Sequence, residues 1–452
     1  MPSDTPEPPA PAPAPTPPPP PAPTGYRALL HNREFAGLYA GLTLTVAAST
    51  LSGFALGTLV DRQTGSPFLT AVSMYGATFA TVLGALTLMS VADGKHPRRT
   101  LLALQGLSLA GVAAQAVPGL PLAARFGLLL LLGFFQSLGT GTRMGLLAET
   151  VPTSAYALAR SLMNITAGAV SVLGFALGAV LLGRLGPYRV FAVAAVLTGL
   201  ALAVVAVTVR ERSIRPTRRP GLRQTWTTNA ELFAHPGRRA LLLNLWVPNG
   251  LVVGCEALFI PYAPQHAGTL LAAGSAGMLL GDLAVGRLLT EERRRRYAFP
   301  LRLLLAVPFL GFAFDPPVPL AAAAVFAASA GFAATLPLQE ELLALTPDAV
   351  RGQVQGVESA GRMTWQGIGA ALAGAAAQYL GPGTAMTVLA AASAAVTLAS
   401  RRAVARAAIA DTAATTNTTA TAGTADAGDT ADAGDTADAG DTPAAPQVSA
   451  GG

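Results

Sequence analysis

Charge is scarce in this chain of 452 residues. Asp, Glu, Lys and Arg make up 12% of it, about half the share that is usual in a soluble protein. Hydrophobic residues make up 52%. A helix needs roughly 20 mainly apolar residues to cross the hydrocarbon core of a bilayer, and apolar runs of that length recur along most of the sequence. The scarcity of charge therefore argues against a soluble enzyme and indicates a membrane protein.

Cysteine and lysine are nearly absent, with one residue of each, Cys255 and Lys95. A single cysteine inside an apolar segment provides neither a disulfide framework nor a cysteine-based metal site. The lysine lacks the glycine spacing of a phosphate-binding loop, which argues against an ATP-driven pump. The four histidines lie far apart, at positions 31, 96, 235 and 266. We therefore predict no metal, no cofactor and no enzymatic activity.

The sequence pI is high, near 9.9, but the basic residues fall between apolar runs rather than along one face. This pattern is not typical of a nucleic-acid-binding surface, so no nucleic-acid partner is predicted. The two ends of the chain have biased composition. Residues 1–25 are rich in proline, and residues 406–452 contain the sequence TADAGD three times. Neither end has enough apolar residues to form a core, and we predict two disordered, solvated tails.

Between the tails the sequence predicts twelve membrane spans. Proline and glycine within them are compatible with membrane helices. Arg302 shortens the ninth span, which makes it the least regular. The predicted spans are residues 35–60, 67–92, 100–118, 126–148, 161–183, 190–209, 240–262, 268–286, 300–315, 319–341, 360–380 and 383–400.

The basic residues predict the orientation of these spans. If the amino terminus is cytoplasmic, 26 of the 30 Lys and Arg residues lie in inner loops or in the cytoplasmic parts of spans. The positive-inside rule then places both termini in the cytoplasm. The largest inner loop, residues 210–239, separates a six-helix bundle at 26–209 from another at 240–405. The outer loops hold only Arg62, Arg125, Arg184 and Arg189.

Four similarities between the halves occur at one offset, 195 residues. The Leu-Gly-Pro tripeptide at 185–187 recurs at 380–382, and the segment ending at Pro152 resembles the one ending at Pro347. Gly174 corresponds to Gly369, and the arginine pair at 98–99 corresponds to the pair at 293–294. A duplicated six-helix unit explains this register. Because six is even, both copies insert in the same orientation, as in the parallel repeats of many secondary transporters.

The stretch after the second span, "ADGKHPRRTL", resembles the signature loop of the major facilitator superfamily. Asp93, Arg98 and Arg99 match that signature, while Met89, Gly94 and His96 depart from it. With twelve spans in two repeated halves, the likeness extends over residues 26–405. It implies an all-α membrane protein, with twelve helices in two parallel six-helix repeats, that acts as a secondary transporter. It also implies a cytoplasmic gate of pairing charges. The candidate gate residues are Asp93, Arg98, Arg99, Glu149, Arg293 and Arg294.

Polar residues within the predicted spans are spaced so that they share helix faces. The family lines its central cavity with the first, fourth, seventh and tenth helices, and several polar residues here fall on those spans. Each could instead make an ordinary bond between helices, worth about 0.6 kcal/mol on average. As a set they predict a substrate cavity. Its candidate residues are Gln136, Thr140, Arg143, Asn249, Glu256 and Gln339.

Glu256 is the one carboxylate that the prediction places well inside a span, so it is the candidate for coupling transport to protons. The segment "GFALGA" resembles a glycine-proline stretch of family exporters, with Phe175 in place of the proline. We therefore expect a monomeric exporter of a small amphipathic molecule in the plasma membrane, in contact with lipid and coupled to protons. An importer, a uniporter and a sensor or scaffold with the same fold stay open as alternatives.

Overall fold

The computed structural model describes residues 25–88, 96–211 and 222–402. Asp93, Lys95, residues 1–24 of the predicted amino-terminal tail and the whole predicted tail at 406–452 lie outside these residues. Every regular element in the described part of the chain is helical. Short 3-10 segments cover Val307–Phe314, Gly331–Ala334 and Asp348–Val350. The α-helices are α1 (Tyr26–His31), α2 (Arg33–Thr64), α3 (Pro67–Leu88), α4 (Pro97–Gln115), α5 (Leu122–Thr150), α6 (Thr153–Leu185), α7 (Pro187–Thr208), α8 (Leu222–Ala234), α9 (Pro236–Ala257), α10 (Phe259–Tyr262), α11 (Ala267–Leu288), α12 (Glu291–Ala306), α13 (Val318–Ala330), α14 (Thr335–Ala344), α15 (Arg351–Leu380) and α16 (Pro382–Arg402).

Ten helical stretches among the described residues are long and apolar enough to cross a membrane. They coincide with ten of the twelve predicted spans, which confirms the all-helical membrane class. The third and eleventh predicted spans coincide with α4 and α15, which are not among the ten. Both are polar for their length: α4 begins with two arginines, and α15 carries Glu358 and Arg362.

The ninth span differs from the prediction. The sequence suggested a short segment with Arg302 near its cytoplasmic edge, but α12 begins at Glu291 and the helical path continues to Phe314. Arg302 is therefore three turns inside the helix, and only 1% of it is exposed. A charged residue did not end this helix, because neighbouring helices supply its hydrogen-bond partners.

The chain divides into two compact units. Unit 1 comprises Met1–Gln63 and Phe79–Thr217, and unit 2 comprises Thr64–Thr78 and Arg218–Gly452. The division near residue 217 falls within the central loop predicted at 210–239. Two features were not anticipated: the first half of α3 groups with unit 2, and the predicted loop contains the helix α8, which packs against α9 and α15.

The repeated Leu-Gly-Pro tripeptides form the same type of turn in both units. Gly186 links α6 to α7 with φ 76°, and Gly381 links α15 to α16 with φ 78°. Positive φ values are open to glycine without steric cost, and the proline that follows has the fixed φ that suits the first position of a helix. The sequence repeat thus corresponds to a repeated local structure.

In unit 2 the central element is α9, which is buried almost continuously from Leu241 to Ala257. It lies close against α15, because Gly250 and Gly369 let the two backbones approach: a Cβ atom on Gly369 would clash with the Gly250 carbonyl oxygen. Small residues allow this close packing where lipid provides no hydrophobic driving force between helices. Polar side chains on α9 are consequently enclosed by protein.

In unit 1 apolar side chains of several helices form the core around α2. Phe35 and Leu38 of α2 are fully buried, together with Leu101 of α4, Leu147 of α5 and Val205 of α7. This packing fixes the start of α4 and the ends of α5 and α7. The predicted gate residues Arg98, Arg99 and Glu149 lie at these helix ends.

Candidate functional site

Arg302 of α12 is a fully buried charge in unit 2, and two asparagines of α9 hold it. Its Nε donates to Asn244 Oδ1 at 3.1 Å and its Nη1 donates to Asn249 Oδ1 at 2.6 Å. Its Nη2 donates to the Asn244 backbone carbonyl at 2.5 Å. Asn249, predicted as a cavity residue, is 1% exposed and is thus committed to this contact.

The Asn244 carbonyl is available to Arg302 because of Pro248. In an α-helix this carbonyl would accept a bond from the N–H four residues later, but proline has no N–H. Pro248 lies inside α9, four residues after Asn244. The guanidinium of Arg302 therefore replaces a backbone bond that α9 cannot make by itself.

A second charged group in unit 2 joins α15 to α14 and α9. Glu358 Oε1 accepts a bond from Arg362 Nε at 3.0 Å, and Glu358 Oε2 accepts one from Gln339 Nε2 at 3.1 Å. The Glu358 backbone carbonyl accepts a bond from Trp246 Nε1 at 2.9 Å. Glu358 also interacts electrostatically with Arg302. Gln339, another predicted cavity residue, is thus a partner of Glu358.

Glu256 is buried near the end of α9, with 6% of it exposed. Ser329 Oγ of α13 donates to its Oε1 at 3.3 Å, and the Tyr75 hydroxyl of α3 donates to the same carboxyl group. Tyr75 belongs to the part of α3 that groups with unit 2. Among the described residues no arginine, lysine or histidine forms an ion pair with Glu256. Its surroundings thus provide hydrogen bonds without a cation.

In unit 1 two predicted cavity residues, Gln136 and Arg143 of α5, lie at one small cavity of about 30 Å³. Thr45, Gln105 and Ser108 also line it, and Gln105 Nε2 donates to Thr45 Oγ1 at 2.9 Å. A cavity needs roughly 10–15 Å³ of volume for each water molecule that it holds. The cavity in unit 1 therefore has room for about two water molecules. The side chain of Thr140 lies outside the described part of α5.

The two arginines of the predicted gate in unit 1 meet a carboxylate that the sequence did not single out. Glu211, just after α7, lies 3.6 Å from Arg98 Nη1 and 3.8 Å from Arg99 Nε. His96 Nδ1 lies 3.2 Å from the same carboxylate. Glu149 is exposed near the end of α5, and Asp93 lies outside the described residues.

The corresponding arginines of unit 2 lie in the first turn of α12. Arg294 forms an ion pair with Glu340 of α14, and its Nη1 lies 2.5 Å from Oε1. Arg293 is exposed. The contact between Arg294 and Glu340 joins the start of one helix to the middle of another. A movement of α14 relative to α12 would break this ion pair.

The glycine-rich stretch of α6 packs directly on α2. A Cβ atom on Gly174 would lie 3.0 Å from Thr50 Cγ2, and one on Gly178 would lie 3.2 Å from Leu51 and Phe54. The ring of Phe175 meets Phe54 edge to face at 6.0 Å. A side chain at either glycine would require the facing side chains of α2 to shift by a few tenths of an ångström.

Several of these partners were missed by sequence reasoning. Asn244 was identifiable, since it precedes the in-helix proline by four residues and so marks a free carbonyl. Glu211 follows an apolar run and looked like any loop carboxylate. Ser329 is small and lies in an alanine-rich segment, so no local pattern sets it apart. No grouping of His, Cys, Asp and Glu among the described residues has the arrangement of a metal site.

These features define a multi-span helical membrane protein of the transporter type, with polar groups enclosed between its helices. A family model described as Major Facilitator Superfamily matches residues 38–266, about half of the chain. The chain therefore belongs to the Major Facilitator Superfamily. This membership indicates a transporter rather than an enzyme.

Solved structures of transporters share this fold. A POT family transporter in complex with 5-aminolevulinic acid matches with a TM-score of 0.64 and 11% identity over 83% of this chain and 96% of that chain. A nucleoside transporter matches with a TM-score of 0.67 and 12% identity over 82% and 99%. A peptide transporter POT in complex with sulfate matches with a TM-score of 0.66 and 13% identity over 83% and 95%. At these identities the likeness shows the fold alone. No curated protein matches the chain significantly.

Proposed function

We propose that the protein exports a small amphipathic molecule across the plasma membrane by alternating access. The observation that carries this proposal is the set of charged side chains buried among the helices, above all Arg302, Glu358 and Glu256. A charge inside a membrane helix is costly, and proteins keep such groups mainly where they act on a substrate, an ion or a proton.

The direction of transport is inferred from α6. The stretch around Gly174 and Gly178 resembles one found in family exporters. Both glycines lie where α6 packs closely against α2. The substrate path is proposed to involve Gln136, Thr140 and Arg143 in unit 1. In unit 2 it is proposed to involve Asn249, Glu256 and Gln339. An uptake carrier or a uniporter would use the same groups, and a sensor would bind a ligand without moving it.

The test of export uses inside-out vesicles from cells that overproduce the protein. With an imposed proton gradient, a fluorescent amphipathic dye, either the cation ethidium or the anion 1-anilinonaphthalene-8-sulfonate, should accumulate in these vesicles but not in vesicles from cells without the protein. An uptake carrier would accumulate the dye only in right-side-out vesicles. Binding of the dye without flux in either orientation would contradict transport and favour a sensor.

The orientation is tested with a cysteine at position 221, in a background where Cys255, which is buried, is replaced by alanine. Gly221→Cys lies in the basic central loop, so we expect it to react with an impermeant thiol reagent in inside-out vesicles only. A matched variant, Ala123→Cys at the exposed start of α5, should react only on intact cells. Labelling of Gly221→Cys on intact cells would reverse the proposed topology.

The gate is proposed to open and close by exchanging ion pairs at the ends of α4 and α7. We expect Asp93→Asn and Glu211→Gln to slow transport while leaving the amount of folded protein nearly unchanged. A partly exposed ion pair usually contributes about 1 kcal/mol or less to stability, whereas its rearrangement can limit the rate of a conformational cycle.

The control for the gate is Glu291→Gln, which removes the exposed pair between Glu291 and Arg295 within α12. Initial rates of dye transport, normalised to purified protein in proteoliposomes, provide the measurement. Parental rates for both Asp93→Asn and Glu211→Gln would show that these carboxylates have no part in the gate.

A further inference from the structure

Unit 2 holds two arginines, on α12 and α15, that are both subject to the charge of one buried carboxylate, with which the second of them forms an ion pair. We call Arg302, Arg362 and Glu358 the ion cluster. Arg302 and Arg362 each lie 11 residues from the start of their helices, which corresponds to about 16 Å of helix length at 1.5 Å per residue. Glu358 pairs with Arg362 and interacts with Arg302. The cluster therefore has one positive charge in excess.

The two arginines differ in what they can reach. All three nitrogens of Arg302 donate to α9, and the residue is 1% exposed. Arg362 uses only its Nε, for Glu358, and 31% of its side chain is exposed. Among the described residues no acceptor lies within hydrogen-bonding distance of either Arg362 Nη atom. The Nη atoms of Arg362 are thus the accessible part of the ion cluster.

We propose that Arg362 binds an anionic group, a carboxylate or a phosphate, on the transported molecule. The proposal rests on the proposed transport function and specifies its substrate class as anionic amphipaths. A planar guanidinium with two adjacent free N–H donors matches the two oxygens of such a group. The anion would also neutralise the excess charge of the cluster. Glu358 acts as a positioning residue, because it holds Arg362 through Nε and leaves the Nη edge free.

The amphipathic molecule inferred from sequence could carry either sign of charge or none. A cationic substrate at Arg362 would meet the excess positive charge of the ion cluster, which is unfavourable within a low-dielectric interior. A neutral substrate would leave that charge uncompensated. The charge balance of the ion cluster thus favours an anion at Arg362.

Three probes that share a phenylpropyl chain and carry an anionic, a neutral or a cationic head group test the proposal: 4-phenylbutyrate, 4-phenylbutanamide and 4-phenylbutylamine. Binding to the full-length protein in nanodiscs is measured by calorimetry and by the ligand-induced rise in Tm. We expect the carboxylate to bind and the amide and the amine to bind at least tenfold more weakly. Equal binding of the three probes, or no binding of the carboxylate at millimolar concentration, would overturn the assignment.

Two variants separate binding from a purely structural role. Arg362→Gln should weaken phenylbutyrate binding about tenfold to a hundredfold, as expected for the loss of charge-assisted hydrogen bonds. Glu358→Gln should have the opposite effect and tighten binding, because the amide oxygen of glutamine can still accept the bond from Arg362 Nε while the negative charge that offsets the cluster is removed. The matched control is Arg351→Gln at the exposed start of the same helix, where Arg351 pairs with Asp348, and it should leave binding unchanged.

If Glu358→Gln weakens binding as much as Arg362→Gln, the pair has a structural role only and the proposal is wrong. A protein that transports ethidium but does not distinguish the three probes keeps its proposed function and loses this inference. Conversely, selective binding of the carboxylate without flux of any compound would support the anion site and contradict transport.

Discussion

Glu256→Gln should abolish the accumulation of substrate driven by an imposed proton gradient while leaving substrate exchange intact. The carboxyl group is enclosed by Ser329 and Tyr75 without a cation partner among the described residues. A carboxyl group that meets water in one state of the cycle and this enclosed site in another can take up a proton on one side and release it on the other. Glutamine keeps the size and most of the hydrogen bonds but carries no proton to transfer.

The measurement uses proteoliposomes with parental protein or Glu256→Gln, first with a pH difference and then with substrate on both sides. Asp282→Asn is the matched control, because Asp282 is also a carboxylate within a membrane-spanning helix but is exposed on α11. Its accumulation should stay near the parental level. Unchanged gradient-driven accumulation in Glu256→Gln would rule out the coupling role, and loss of exchange as well would indicate a structural role.

Arg302→Met should lower the stability of the protein by about 3 kcal/mol, and Pro248→Ala should recover part of this loss. Methionine leaves the Asn244 carbonyl and two asparagine side chains without their donor, and an orphaned buried acceptor costs about 1–3 kcal/mol. Removal of a buried charge offsets part of that cost. Alanine at 248 restores the N–H that proline lacks, so α9 can again satisfy the Asn244 carbonyl internally.

The substitutions Arg302→Met and Pro248→Ala, made singly and together, form a double-mutant cycle. Arg302→Met should cost about 1–3 kcal/mol less in the Pro248→Ala background than in the parent, since one carbonyl is no longer orphaned. Thermal unfolding of purified protein in one detergent gives the comparison. Arg295→Met, at an exposed position on the same helix, should change Tm little in either background. Equal costs of Arg302→Met in the two backgrounds would show that the proline-freed carbonyl has no part in holding Arg302.

The sequence was a better guide to membrane spans than to polar contacts. Apolar runs predicted ten stretches that the structure shows as apolar helices, since span length follows directly from bilayer thickness. The repeat at an offset of 195 residues also predicted equivalent turns at Gly186 and Gly381, where φ is positive in both. These are local properties, which neighbouring residues in the chain largely determine.

Arg125 is a residue whose environment the sequence did not predict. The sequence placed it in an outer loop as one of few basic residues there, and the structure buries it completely at the start of α5. Its Nη1 donates to the Gln115 carbonyl at 2.7 Å, and its Nε donates to the Leu120 carbonyl at 3.2 Å. It therefore joins α4 to α5, a role that no pattern of charge along the chain predicts.

The amino-acid sequence by itself determined that this is an all-helical membrane protein with repeated halves, because hydrophobicity, spacing and turn residues are local signals. Only the tertiary structure decided which polar residues act together. It joined Arg302 to a carbonyl freed by Pro248, Arg98 and Arg99 to Glu211, and Arg362 to Glu358 beneath an accessible guanidinium edge. The reason is physical: in a low-dielectric interior a charge depends on its partners within a few ångströms. Except for the i,i+4 pair of Glu358 and Arg362, those partners lie far apart in the sequence.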